Sequence, residues 1–202
     1  MGVSAVLLVV AAFLLGSIPF SNLAARRTRG VDLRDVGTGT VSGTSLYRVA
    51  GFVPMALAGI CDIAKGAGGA LIAGDRPTLA AVAGGAAVAG HNWSPFLRGA
   101  GGRGFAPALG ALLVTAWPGT VILAVAMAAG RVVRQTGVGL FLAELALTPA
   151  LWAWGGALGA LAGAAIAVPM LLKRVIGNHP PQGPRARTYF TRLVLDRDPV
   201  PT

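Results

Sequence analysis

The sequence predicts an all-α fold: a polytopic integral membrane helical bundle of about seven transmembrane helices, N-terminus outside and C-terminus cytoplasmic. Three observations lead there. Of the 202 residues, 54% are apolar and only 12% charged, against roughly 25% charged in a soluble domain, so there is too little charge to cover a water-facing surface. Glycine is abundant, at 30 residues, and more than half of these fall inside the apolar runs, where small residues let helix backbones approach closely in lipid. The basic residues gather between those runs, as a membrane-orientation signal does. A soluble domain and a Gly/Ser linker are thereby excluded. The single cysteine, Cys61, excludes a disulfide framework. The net charge of +10 is read as orientation in a membrane and not as nucleic-acid binding, because it flanks apolar spans.

The first span runs from about Val3 to Ala25, long enough to cross a core of about 30 Å at about 1.5 Å per residue. A cleaved signal peptide is the competing reading, but the positive charge at Arg26, Arg27 and Arg29 follows the apolar run instead of preceding it. Further apolar stretches cover 49–74, 78–97, 105–130, 137–154 and 157–172. The stretch 105–130 reads either as one long helix or as two short ones broken at Trp117-Pro118-Gly119. Charge decides between them. With two helices, fifteen of the seventeen Lys and Arg residues share one face, leaving Arg76 outside and Lys65 within a span. Trp93, Trp117, Trp152 and Trp154 then fall near span ends, as interfacial anchors do. Gly155, Gly159 and Gly163 form a smooth stripe in the last span. Residues 1–175 make a single transmembrane domain and 176–202 a basic, Pro-containing cytoplasmic tail.

Two cytoplasmic segments carry chemistry. The first, Val36 to Arg48, sets Thr38, Thr40, Ser42, Thr44 and Ser45 among Gly37, Gly39 and Gly43 and ends on Arg48. Glycine lets backbone N–H groups converge, hydroxyls donate to oxygen anions, and a guanidinium suits phosphate. A flexible solvated loop is the plainer reading of the same composition. The second segment runs from Gly90-His91 to Gly104 and contains Gly101, Gly102 and Arg103. Gly99, Gly101 and Gly104 match G-x-G-x-x-G, but no strand precedes them, so a dinucleotide fingerprint is rejected. A helix start bearing Arg103 remains a good place for a phosphate.

Asp62 and Lys65 stand three apart within a span, where they read as a structural ion pair or a substrate contact. His91 reads as a hydrogen-bonding residue or a general base. Glu144 is an intramembrane acid with no obvious partner, and His179 in the tail carries no signal. Two distant histidines and one cysteine offer too few ligands for a metal.

Several of these strings resemble one family, the bacterial acyl-phosphate:glycerol-3-phosphate acyltransferases of the PlsY type. Gly16-Ser17-Ile18-Pro19 resembles its opening motif, and Gly37 to Ser45 stands where the family has G-S-G-N-x-G-A-T-N, with Arg48 following at the expected distance. Asp62-Ile63-Ala64-Lys65-Gly66 resembles D-x-x-K-G, and Gly90-His91 through Gly110 resembles the G-H-x-[FW]-P to K-G-G-K-G-V-A-T segment. The resemblance implies a seven-span enzyme of the cell membrane with its site on the cytoplasmic side. It would move a fatty acyl group from acyl phosphate to the 1-hydroxyl of glycerol 3-phosphate, giving lysophosphatidic acid, with no metal or organic cofactor. By the same resemblance Thr38, Arg48, His91 and Arg103 are the expected catalytic residues. Gly37, Gly39, Thr40, Ser42, Thr44, Ser45, Lys65, Gly101, Gly102 and Gly104 are the expected substrate contacts, and the acyl chain is expected between spans, open to membrane lipid.

The chain departs from the pattern at Thr40 and Ser45, which replace asparagines, at Ser42-Gly43, at Ala100 and Arg103, which replace lysines, and at Pro107. In the tail, Arg185 and Arg192-Leu193 loosely resemble R-H-x-x-N-I-x-R-L, with Tyr189 in place of the asparagine. The alternatives are a related transferase with a changed substrate, a catalytically impaired membrane partner, or a carrier for a small phosphorylated solute. No internal repeat supports a carrier.

Overall fold

The expected first span is broken. A computed structural model describes residues 2–181 and 183–198, and in it helix α1 (Val3–Gly16) ends before Ser17-Ile18-Pro19 and α2 (Phe20–Arg29) begins after them. Pro19 brings no N–H and disfavours helical geometry at the residue before it. The carbonyls released at the break are taken up from elsewhere: the Ser94 hydroxyl donates to the Ser17 carbonyl at 2.6 Å, and the Lys65 ammonium to the Ile18 carbonyl at 2.8 Å.

Beyond α2, Arg34 and Arg26 both bind Asp32. The hydrogen bonds from Arg34, joined by those from Arg26, hold the Asp32 carboxyl well below the usual carboxylate range. The hydroxyl-rich segment is a loop only in its first half. Ser42 accepts from the Ser45 N–H at 3.3 Å and caps helix α3 (Gly43–Ala50), so Thr44, Ser45 and Arg48 lie on a helix. Helices α4 (Phe52–Leu71) and α5 (Pro77–Asn92) follow, somewhat shorter than the apolar stretches that announced them.

The stretch 105–130 is two helices, α6 (Phe105–Thr115) and α7 (Trp117–Val132), hinged at Ala116. They lie side by side, since the Thr120 hydroxyl donates to the Leu109 carbonyl at 3.1 Å. Helix α8 (Thr136–Ile176) leaves helical geometry at Gly155 and Gly156, where φ is −133° and +60°. Past that point the chain doubles back. A Cβ on Gly159 would collide with the Leu151 carbonyl, and one on Gly163 would sit 3.0 Å from the Leu147 carbonyl. The two last expected spans are therefore the arms of one hairpin. Gly155 forms its turn, while Gly159 and Gly163 face the preceding arm. The tail contains an amphipathic helix, α9 (Arg185–Leu195), docked on α8 by its buried Arg192.

The main core lies between α6, α7 and both arms of α8, around Leu112, Leu123, Leu147, Leu151, Ile166 and Met170. Outward, Leu7, Leu57, Ile60, Val125 and Leu142 are exposed, a surface suited to lipid. By length and composition, α1 and α2 taken together and α8 are long and apolar enough to cross a bilayer, and α6 and α7 are shorter apolar helices. Backbones touch where α4 crosses α6: a Cβ on Gly66 would meet the Pro107 carbonyl, and one on Gly110 the Ile63 carbonyl.

Candidate active site

The two glycine-rich segments meet at one end of the bundle. The Val41 N–H donates to the Gly101 carbonyl at 3.1 Å, and the Gly102 N–H to the His91 carbonyl at 3.2 Å. There is no room for side chains at this junction. A Cβ on Gly101 would strike the His91 and Asn92 carbonyls, and one on Gly102 the His91 ring and the Val41 carbonyl. Gly104 then starts α6 with φ of +80°, a conformation that glycine adopts without strain.

Beneath the junction lies a cavity of about 10 Å³, room for about one water molecule. Asp62, Lys65 and His91 line it together with the Ser17 to Ser21 break. Lys65 Nζ is 2.8 Å from Asp62 Oδ1, and His91 Nδ1 is 3.7 Å from the same oxygen. Both members of the Asp62–Lys65 pair are buried. Lys65 also holds the Ile18 carbonyl and lies 5.8 Å from the centre of the Phe20 ring, so the pair has a structural office. Beside the cavity, and sharing Ile18, Pro19 and Leu97 with it, is an open groove of about 350 Å³ completed by Asn22, Leu23, Arg26 and Phe96.

The remaining candidates are spread around this junction. Thr38 is exposed, with its hydroxyl 3.0 Å from that of the buried Thr40. Ser45 donates to the Thr40 carbonyl at 2.8 Å and its hydroxyl lies 3.2 Å from that of Ser42, so these groups largely satisfy one another and the start of α3. Gly37 and Thr44 are exposed, and Gly39 is buried. Arg48 is exposed in the last turn of α3 and makes no hydrogen bond or ion pair among the described residues. Arg103 stands against the end of α8. It donates from Nη1 to the Lys173 carbonyl at 2.8 Å and pairs through Nε with Asp196 at 2.7 Å. Among the described residues nothing joins Arg103 to Arg48.

Sequence reasoning missed Asn178. Its Nδ2 donates to the Gly39 carbonyl at 3.0 Å and to the Gly101 carbonyl at 2.9 Å, while its Oδ1 accepts from the Gly101 N–H at 3.2 Å. One side chain thus ties both glycine segments to the end of α8. The available signal was the spacing Arg174-x-x-x-Asn178, which fits R-H-x-x-N better than the stretch around Arg185 and Tyr189. His179, expected to be silent, lays its ring against Gly39. Glu144 has a partner after all: Arg174 lies 2.8 Å away, both side chains are almost fully buried, and the same guanidinium donates to the Gly137 and Leu193 carbonyls. Arg192 donates to the Ile176 and His179 carbonyls and pairs with Asp198, so the tail's second arginine holds α9 in place and does not reach the glycine segments. Among the described residues no group of His, Cys, Asp and Glu is arranged to hold a metal ion.

These features define a helical bundle of membrane type whose glycine-rich segments close over a buried charged chamber. A family model for glycerol-3-phosphate acyltransferase matches residues 6–180. Over 179 residues the chain is 34% identical to the glycerol-3-phosphate acyltransferase of Synechococcus sp. (strain CC9902), covering 87% of this chain and 90% of the relative. It is 34% identical to that of Parasynechococcus marenigrum (strain WH8102), covering 87% and 84%. Among solved structures it resembles PlsY (YgiH), an integral membrane glycerol 3-phosphate acyltransferase. The glycerol 3-phosphate form gives a TM-score of 0.74 at 28% identity over 85% of this chain and 88% of that one. The lysophosphatidic acid form gives 0.74 at 25% identity over the same shares. The chain belongs to the glycerol-3-phosphate acyltransferase family and has the fold of an integral membrane member.

Proposed function

We propose that the protein transfers a fatty acyl group from acyl phosphate to the 1-hydroxyl of glycerol 3-phosphate, giving lysophosphatidic acid for phospholipid synthesis. The observation that carries this reading is the junction itself: two glycine-rich segments joined at Val41 and Gly101 over Asp62, Lys65 and His91. Around it stand groups suited to two phosphates. Arg48, without a partner among the described residues, and Arg103 would neutralise anions that otherwise repel each other. Gly37, Gly39 and the hydroxyls of Thr38, Thr40, Ser42, Thr44 and Ser45 border one side of the junction. Gly101, Gly102 and Gly104 border the other, and Lys65 adds positive potential from beneath. The groove lined by Leu23, Phe96 and Leu97 suits the acyl chain, which would reach it from membrane lipid.

In this reading the acceptor oxygen attacks the acyl carbon. A new C–O bond forms, the bond to the phosphate oxygen breaks, and inorganic phosphate departs with the proton that the hydroxyl gives up. His91 would orient that hydroxyl. Because acyl phosphate is already activated, holding the two anions together supplies most of the rate. The protein would cross the cell membrane about seven times, N-terminus outside, with the junction on the cytoplasmic side where the basic residues gather. Residues 1–175 would form the catalytic domain and 176–202 its cytoplasmic extension.

The test is direct. Purified protein given acyl phosphate and glycerol 3-phosphate forms lysophosphatidic acid, and Arg48→Ala and Arg103→Ala each lower the rate by about 100-fold or more while the melting temperature holds. Turnover by folded protein only with another acceptor would replace this reading with the changed-substrate one.

A further inference from the structure

The matched family stretch ends at residue 180, and α9 lies beyond it. Yet α9 delivers a carboxylate to the arginine that the proposed function places on a phosphate. We propose that Asp196 is a positioning residue for Arg103, setting the plane of its guanidinium for the anion it binds. The inference rests on the reading of Arg103 given above.

Two elements grip this guanidinium from different sides. The Lys173 carbonyl, in the last turn of α8, accepts from Nη1 at 2.8 Å, and the Asp196 carboxylate forms an ion pair with Nε at 2.7 Å. Nη2 makes no hydrogen bond or ion pair among the described residues, which leaves one edge of the fork for a ligand. A planar group held by a hydrogen bond at one nitrogen and by a carboxylate charge beside a second loses little freedom when a phosphate arrives at the third.

The carboxylate is built into its place. Asp196 follows α9 directly and takes a left-handed conformation, φ +52°, which residues other than glycine adopt sparingly. Such a conformation persists where its surroundings dictate it. Here Arg192, buried one turn earlier, binds the Ile176 and His179 carbonyls and Asp198, and Arg174 binds the Leu193 carbonyl. With its last turn anchored in this way, α9 behaves as a fixed arm. The ion pair therefore acts as a permanent brace, whereas a carboxylate that competed with the substrate would need an arm able to leave.

A brace also explains the charge. Arg103, Lys173 and Lys65 crowd one end of the bundle, and Asp196 offsets the first of them without occupying the free edge.

The test is steady-state acyl transfer in detergent by wild type, Asp196→Asn, Asp196→Glu and Asp196→Gly, with melting temperatures recorded. Asp196→Asn lowers kcat about 10- to 100-fold at unchanged stability, and Asp196→Glu recovers most of the loss. Asp196→Gly removes the carboxylate while relieving the left-handed backbone, so it folds at least as well and shows the same loss. In an Arg103→Lys background, Asp196→Asn adds little, because both changes act through one group. Faster turnover or a lower KM in Asp196→Asn would reveal a competing anion and overturn the inference, as would unchanged kinetics in both Asp196→Asn and Asp196→Gly. Those results leave the acyltransferase reading standing so long as Arg103→Ala is inactive. An active Arg103→Ala, or no transfer by wild type, removes that reading and this inference together.

Discussion

Asn178 holds three backbone groups on two segments more than sixty residues apart in sequence, Gly39 and Gly101, and does so with a single amide. An amide is suited to the task because it donates and accepts at once. Asn178→Ala is expected to lower kcat/KM for acyl transfer about 10- to 100-fold, because the two segments lose their common reference. Asn178→Asp, which sets a carboxylate against two carbonyl oxygens, is expected to be no better, and steady-state kinetics on the two variants check both statements. Gly101, Gly102 and Arg103 were legible in the sequence because the string around them is local and their chemistry is backbone chemistry. Asn178 was not, since its value depends on the end of α8 arriving beside two distant loops. Glu144 was illegible for the same reason: its partner Arg174 stands thirty residues on, across a turn.

Among the elements, the α8 hairpin shows how much a glycine pair decides. Gly156 has φ of +60° and ψ of −143°, a region nearly closed to other residues, so Gly156→Ala should cost about 1–3 kcal/mol of stability. Gly155, at φ of −133° and with open space around it, should accept alanine with little change. Thermal unfolding of the two variants in detergent separates these outcomes. The reversal was readable because Gly-Gly interrupts an apolar run too long for one crossing, and the α6 and α7 hinge was readable because the arginines would otherwise face both ways. The break in the first helix had a signal in Pro19, but the groups that stabilise it were not readable. They are Lys65 from α4 and Ser94 from the segment after α5, both distant in the chain.

For the whole molecule, the buried pair of Arg174 with Glu144 links both arms of α8 to α9, through the Gly137 and Leu193 carbonyls. Glu144→Gln leaves a buried guanidinium uncompensated and should destabilise the protein by about 3–5 kcal/mol, while replacing both partners with apolar residues should recover much of the loss. Chemical unfolding of the single and double variants checks this. Charge distribution, the most legible property of the chain, makes a matching statement about orientation. With Cys61 changed to alanine, a cysteine at Asp75 should react with an impermeant thiol reagent added outside intact cells, and one at Arg131 only after the membrane is opened. The interruption at Ser17 to Pro19 bears on biosynthesis as well. While the ribosome is still making α4, the Ile18 carbonyl waits for Lys65, and the Ser17 carbonyl waits longer, for Ser94. In hydrocarbon, unpaired backbone oxygens are costly. The amino-terminal segment is therefore expected to reach its final bend only after Ser94, beyond α5, has been made, so completion of the chamber should be a late event in the life of the nascent protein.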